Sequence, residues 1–360
     1  MSCLELLTAD QMQAVDRRAV ELGVNSYQLM QSAGRAVAVE IQNYLSEHSS
    51  EAPVSILMLV GPGNNGGDAL VAATILKKAG IAVHVLLACG QPKQGSDAAQ
   101  ALAEWEGQVH LTDSGDGLLH EASLIVDALF GAGFSRALSG DLKTLVETVN
   151  ALSKPVISVD VPSGLDGSTG GFDGACIKAD VTITFFRYKI AHYLYPGRAL
   201  CGQLVLAQIG LSEMHLNSSD AYCQRNLPEM FVSKLPVPAV TGHKFTRGHV
   251  LVRGGSMDSS GAARLSANTA LYCGAGLVTL ACDSEALPVN AAHLTAVMMQ
   301  RCDTLRQWKR TLEDPRINVV LIGPGNGVNE STRRATLAAL ASNRHCVVDA
   351  DSLSCWQSQQ

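Results

Sequence analysis

Residues 56–76, ILMLVGPGNNGGDALVAATIL, join an apolar run to an apolar-periodic run through a turn holding Gly61, Gly63, Gly66 and Gly67. The first run predicts a buried strand, and the second predicts a helix beginning near Gly67. A strand entering a helix through glycines leaves converging N–H groups and the positive helix end at one spot, so an anionic ligand is expected there. Gly61, Gly63 and Gly66 satisfy G-x-G-x-x-G. The dinucleotide fingerprint also needs an acid about 20 residues further on, and the next strand-like run, 81–88, ends at Cys89 without one. A P-loop is excluded as well, because neither Lys-Ser nor Lys-Thr follows the glycines. Asn64, Asn65 and Asp68 add amide and carboxylate oxygens, which suit a hard cation or a ribose. The alternative is that the two asparagines only tolerate left-handed turn geometry.

The rest of the chain repeats this alternation. Thr8 and Gln11 form a capping box ahead of Met12, Val15, Ala19 and Leu22, and a second helix is expected over 26–45. Strands are predicted at 54–60, 81–88, 124–129, 155–159, 179–186 and 202–209, with helices at 67–79, 95–105 and 142–151. This is βα architecture with a mostly parallel sheet, whose ligand sites lie outside the carboxyl ends of the strands. Asp127 and Asp160 close two apolar strands, and a carboxylate there is costly unless ligated or hydrogen-bonded. Each is followed by a glycine-containing loop, 130–136 and 161–167, so Asn65, Asp68, Asp127, Asp160 and Ser163 are expected on one rim. Lys189 and Arg198 are expected to bring cations close to it.

A change of texture marks 227–242, with Pro228, Pro236 and Pro238 and little periodicity, so the chain is divided into 1–226, a linker at 227–242 and a second segment at 243–360. The second segment repeats the opening pattern. A strand at 249–252 meets Gly254, Gly255 and Gly261 and then a small-residue helix, and a strand at 319–322 ends in GPGNG. A strand at 346–348 follows, and the sheet is expected to lack the length to close its core and to leave edges exposed. The net charge of −6 across 360 residues, without a basic block, argues against nucleic acid or a membrane surface as the main partner. Ten cysteines without C-x-x-C or metal spacing are expected to be free core thiols. Neither a signal peptide nor an apolar run near the ~20 residues of a membrane span is found, so a cytoplasmic protein is expected.

GPGNNGGD, VDALFGAGFSR, DVPSGLDGSTG and KIAHYLYPGR resemble the YjeF N-terminal domain, the NAD(P)H-hydrate epimerase. HKFTRGHVLVRGGS, SGAARL, GAGLVTL, IGPGNG and VDADSL are similar to the first half of the ADP-dependent NAD(P)H-hydrate dehydratase. The resemblance implies a Rossmann-like αβα domain followed by a ribokinase-like α/β domain. It implies epimerisation of R- and S-NAD(P)H hydrate (NADHX and NADPHX), with Asn64, Asn65, Gly66, Gly67, Asp68, Gly131, Ala132, Gly133, Phe134, Ser135, Arg136, Ala137 and Asp160 around the substrate. Asn65, Asp127 and Ser163 match its potassium positions; Asp160 is expected to handle the proton of the leaving or entering water, with Lys189 as its cationic partner. Ala262 and Gly325 are expected to be a remnant of the dehydratase site, in a domain that uses ADP or ATP and leaves Mg²⁺ open. A homo-oligomer is expected. Ala69 and Gln31 depart from the family pattern, and the P-H-x-x-E and G-x-G-D segments of the dehydratase are not found after Leu353, so its activity is expected to be missing. The competing expectation is a noncatalytic YjeF-N scaffold, which would have no need of Asn65, Asp127, Asp160 and Ser163 together.

Overall fold

The computed structural model describes residues 4–48, 54–111, 115–217, 222–237 and 239–357. The chain divides into two compact units, Met1–Val232 and Ser233–Gln360. Pro238 of the expected linker lies outside the described residues.

In the first unit β1 (Glu5–Leu7) precedes α1 (Ala9–Glu21) and α2 (Ser26–Glu47). Then come β2 (Ser55–Val60), α3 (Asn64–Lys78), β3 (Ala82–Leu87), α4 (Asp97–Ala103), β4 (Val109–Leu111), α5 (Gly115–Glu121), β5 (Leu124–Ala128), α6 (Gly140–Ala151) and β6 (Val156–Val159). The unit continues through β7 (Val181–Phe185), β8 (Tyr188–Lys189), α7 (Gly197–Leu200), β9 (Gln203–Ala207) and β10 (Cys223–Gln224). Seven strands form a parallel sheet in the order β4-β3-β2-β5-β6-β7-β9. The order reverses between β2 and β5, and such a switch point opens a crevice at the strands' carboxyl ends.

The apolar run of β2 shows how the layers arise. Ile56, Met58 and Val60 pack with α1, α2 and α3 on one face, and Leu57 and Leu59 pack with α5 and α6 on the other. A strand buried on both faces reads as continuous hydrophobicity, as it does here. Thr8 caps α1 with the expected reciprocal box to Gln11. Leu22 is instead the C-cap of that helix and about half exposed, because the apolar stripe has rotated away from the core by the last turn.

Two features differ from the sequence expectation. The helix after β2 starts at Asn64, three residues before Gly67, with Gly63 as N-cap, so Asn64 and Asn65 are helical rather than left-handed. The glycines do not break it, because their positions answer to packing: a Cβ on Gly66 would lie 2.0 Å from the Gly61 carbonyl oxygen, and one on Gly67 2.5 Å from Met30 Cε. The second difference is a small sheet, β10-β1-β8, in which Leu7 pairs with Lys189. Strands of two or three residues are too short to carry a legible period.

The second unit contains β11 (His249–Arg253), α8 (Ser260–Tyr272), β12 (Leu277–Cys282), α9 (Ala286–His293), β13 (Met298–Arg301), α10 (Leu305–Leu312), β14 (Val319–Ile322), α11 (Glu330–Leu340), β15 (His345–Val348) and α12 (Asp351–Ser354). Its parallel sheet runs β13-β12-β11-β14-β15. The expectation that it could not close a core is corrected: Val252, Ala263, Ala267 and Leu280 pack on one face, and Leu251, Trp308, Ala335 and Ala339 on the other. Five strands with helices on both faces are enough to bury Trp308 completely and to satisfy its indole N–H at the Ala335 carbonyl, 3.0 Å away. Cys223 and Cys273 are exposed, which corrects the expectation that all the thiols are core residues, since both fall at element ends.

Candidate functional site

A cavity of about 700 Å³ lies at the carboxyl ends of the strands flanking the switch point. The first turn of α3 enters it with Asn64, Asn65 and Asp68. Gly63 offers no side chain to cap α3, so the N–H groups of this turn and the positive helix end remain available to an anion. The loop after β5 contributes Gly131, Ala132, Gly133, Phe134, Ser135 and Arg136, while Ala137 is not among the lining residues. Gly66 and Gly67 are buried within α3 and are also not on the lining. Phe130 and Phe134 stack with centroids 4.1 Å apart, and the Arg136 guanidinium lies over Phe134.

Asp160 follows β6 in a left-handed conformation, φ 67°, which is uncommon outside glycine and is held here by its surroundings. Its Oδ1 accepts from Lys189 Nζ at 2.6 Å and Thr184 Oγ1 at 3.1 Å, and its Oδ2 accepts from the Ala132 N–H at 2.9 Å. Burial pushes the Asp160 carboxyl up, but the Lys189 charge and these hydrogen bonds outweigh it and hold Asp160 below the usual carboxylate range. Lys189 is 1% exposed, contrary to the solvated state usual for lysine, and also donates to Thr184 Oγ1 at 2.8 Å and the Phe185 carbonyl at 3.3 Å. The β1–β8 pairing fixes its backbone at the cavity. Arg198, by contrast, sits exposed on α7 and does not line the cavity, because α7 turns its side chain outward.

Two further acids of the cavity are shifted in the opposite direction. Burial pushes Asp68 well above the usual range, with Asp160 and Asp16 adding repulsion and Lys189 opposing it. Burial likewise raises Asp16 to about 6, against the pull of Lys189.

Asp127 and Ser163 lie beneath this surface, fully buried. Asp127 Oδ2 accepts from Ser158 Oγ and the Ser163 N–H, each at 2.8 Å, and Ser163 Oγ accepts from the Phe130 N–H at 3.0 Å. Burial raises Asp127, opposed by the neutral donors of Ser163, Ser158 and the Leu129 N–H; among the described residues no basic side chain forms an ion pair with it. Asn65, next to Gly131, has a buried Nδ2 without a hydrogen-bond partner among the described residues. A buried, uncompensated carboxylate beside further oxygen donors is a donor set that fits a hard monovalent cation.

The polar residues at the site that were not reached from the sequence include Thr184, His192, Gln13 and Asp16. Thr184 and His192 support the Asp160–Lys189 pair: the fully buried His192 accepts the Lys189 N–H at Nδ1, 3.0 Å, and its Nε2 lies 3.0 Å from the Asp160 carbonyl. Burial and the Lys189 charge lower His192 to about 4, so the neutral ring donates through Nε2. Gln13 and Asp16 enter from α1. The alternation of Thr182 and Thr184 in an otherwise apolar strand was the available signal for Thr184, and Asp16 beside the stripe of Met12, Val15 and Ala19 was the one for Asp16.

In the second unit the two glycine turns meet. A Cβ on Gly255 would lie 1.6 Å from the Gly325 carbonyl oxygen, and one on Gly325 would lie 2.5 Å from the Ser259 carbonyl oxygen and 3.5 Å from Ala262 Cβ. Ala262 and Gly325 are thus neighbours.

Comparison with known proteins agrees with this division. The family described as YjeF-related protein N-terminus matches residues 26–191, and the family described as NAD(P)H-hydrate dehydratase matches residues 250–360. A bifunctional NAD(P)H-hydrate repair enzyme of Coxiella burnetii is 33% identical over 347 residues, which cover 96% of this chain and 69% of that protein. Its counterpart from Moorella thermoacetica is 34% identical over 370 residues, covering 97% of this chain and 69% of the relative. A yeast protein of known crystal structure shares the fold over 62% of this chain and all of its own, with a TM-score of 0.51 and 22% identity. Among the described residues no helix is long and apolar enough to cross a membrane.

Proposed function

The chain belongs to the family of bifunctional NAD(P)H-hydrate repair enzymes, and on that premise we propose that residues 1–226 epimerise R- and S-NADHX and NADPHX. The observation that carries this reading is the ionised Asp160, ion-paired to buried Lys189 and aimed into a cavity that also receives the N-terminus of α3. The first turn of α3 and the 131–136 loop receive the pyrophosphate and the hydrated ring. At the carbon beside the ring nitrogen, hydroxide departs and water returns on either face. Asp160, kept unprotonated by Lys189 and the Ala132 N–H, accepts the proton of the entering water. A positioned base of this kind contributes about 10²–10⁴-fold. Asn65, Asp127 and Ser163 would hold potassium, which when bound supplies fixed positive charge to ligand oxygens.

Residues 243–360 we assign to the nucleotide-cradling part of the dehydratase, joined through 227–242. The contact of Ala262 with Gly325 supports this assignment. The P-H-x-x-E and G-x-G-D segments do not occur within these 360 residues.

The test supplies purified protein with R-hydrate, potassium or sodium, and a separate complete dehydratase that consumes the S-epimer. Potassium-dependent conversion above the spontaneous rate, lost in Asp160→Ala, is expected. Folded protein without acceleration would favour the scaffold.

A further inference from the structure

Inversion at one carbon requires proton handling on both faces of the ring, because hydroxide leaves one face as water arrives on the other. Asp160, just after β6, and Lys189 of β8 form an ion pair on the cavity lining. Asp16 enters the same cavity from α1, four residues from both Met12 and Val20, which also line it. Among the described residues no hydrogen bond or ion pair engages it, and the charged groups that act on it are Lys189, Asp160 and Asp68 across the cavity elements and Arg17 on its own helix.

Resting on the epimerase reading above, we propose that Asp16 is the second catalytic acid/base of the reaction, serving the ring face away from Asp160. In one direction the Asp16 O–H bond breaks as its proton joins the departing hydroxyl. The C–O bond cleaves, its electrons leave with the water so formed, and the ring nitrogen's lone pair closes the C=N⁺ bond. Water then adds to the other face, returns the electron pair to nitrogen and yields its proton to Asp160. The proton count is conserved: one is moved from Asp16 to Asp160, and the reverse direction or exchange with solvent returns it. Opposite protonation of the two carboxyls is what such a division of labour needs. Burial favours the protonated Asp16, which loses its proton near pH 6, whereas Asp160 is held ionised.

Asp16→Asn and Asp16→Glu are compared with wild type in the coupled assay from about pH 4 to about pH 8, roughly two units either side of the shifted group. Asp16→Asn is expected to lower kcat about 10²-fold with KM changed little, and to lose the decline in rate that wild type shows as pH rises through about 6. Asp16→Glu restores part of kcat. Asn removes a disfavoured buried charge, so a thermal midpoint at least equal to wild type at pH 8 separates loss of chemistry from loss of fold. Unchanged kcat in Asp16→Asn, or a higher KM alone, overturns the assignment while wild-type activity keeps the epimerase reading. A wild type without acceleration overturns both.

Discussion

The tetrapeptide Gly-Pro-Gly-Asn occurs twice, at 61–64 and at 323–326, each time directly after a parallel strand. In the first copy the glycines are not left-handed, Asn64 already belongs to α3, and its exposed side chain faces the cavity. In the second, Gly323 and Gly325 take φ values of 127° and 70°, and α11 starts only at Glu330. Asn326 there folds back on its own loop, accepting from the Gly323 N–H and donating to the Arg253 carbonyl, each at 3.0 Å. One turn presents its asparagine to a ligand and the other spends it on itself. The residues that follow decide: Asn65-Gly66-Gly67-Asp68 can pack as helix against Gly61 and Met30, whereas Gly327, at φ 80°, extends the second loop.

The comparison can be tested by substitution. What the two copies share is backbone crowding at the first glycine: a Cβ on Gly61 or Gly323 would lie 1.7 Å from a carbonyl oxygen, of Leu129 and Asp349 respectively. Gly61→Ala and Gly323→Ala are each expected to cost about 4 kcal/mol or more in their own unit, measured by denaturant unfolding. A loss below about 1 kcal/mol in either would show that the turn can yield. In activity the units part company. Asp160→Ala should lower epimerisation by about 10²–10⁴-fold, and Gly323→Ala should leave the rate constant of folded protein unchanged. The asparagines provide the sharpest contrast: Asn326→Ala orphans two backbone groups and should cost about 2 kcal/mol, while Asn64→Ala should stay within about 0.5 kcal/mol and instead raise KM. Equal stability losses would mean that the two turns work alike.

The smallest expected effect is on pH dependence. The folded His192 titrates near 4, below the ordinary 6.5, so the unfolded chain binds the extra proton first. Its contribution to stability is complete above about 6.5 and is lost as pH falls toward 4. His192→Gln should flatten the melting temperature of the first unit across that window, and an unchanged slope would show that other groups govern it.

Strand and helix alternation, the glycine turns and the carboxylates at strand ends were legible because each rests on local chemistry: apolar runs, capping geometry and the cost of placing an acid in a buried strand. The first residue of α3 was not legible, since glycines that weaken an isolated helix are retained here for the space they leave to Gly61 and Met30. Arg198 shows the converse error, a cation close to the motif in sequence that α7 turns away from the cavity.

By itself the sequence determined that the chain builds parallel α/β sheets with an anion-seeking helix terminus and oxygen donors after β2, β5 and β6, because these follow from residue type and period. Only the tertiary structure decided the protonation of the acids and which of them share a cavity. Asp160 is ionised because Lys189, 29 residues away in sequence, is brought to 2.6 Å by a strand pair too short to read, whereas half-buried Asp16 and buried Asp68 have no such ion-pair partner among the described residues. Desolvation and long-range pairing belong to the folded chain, so no local pattern could have assigned them.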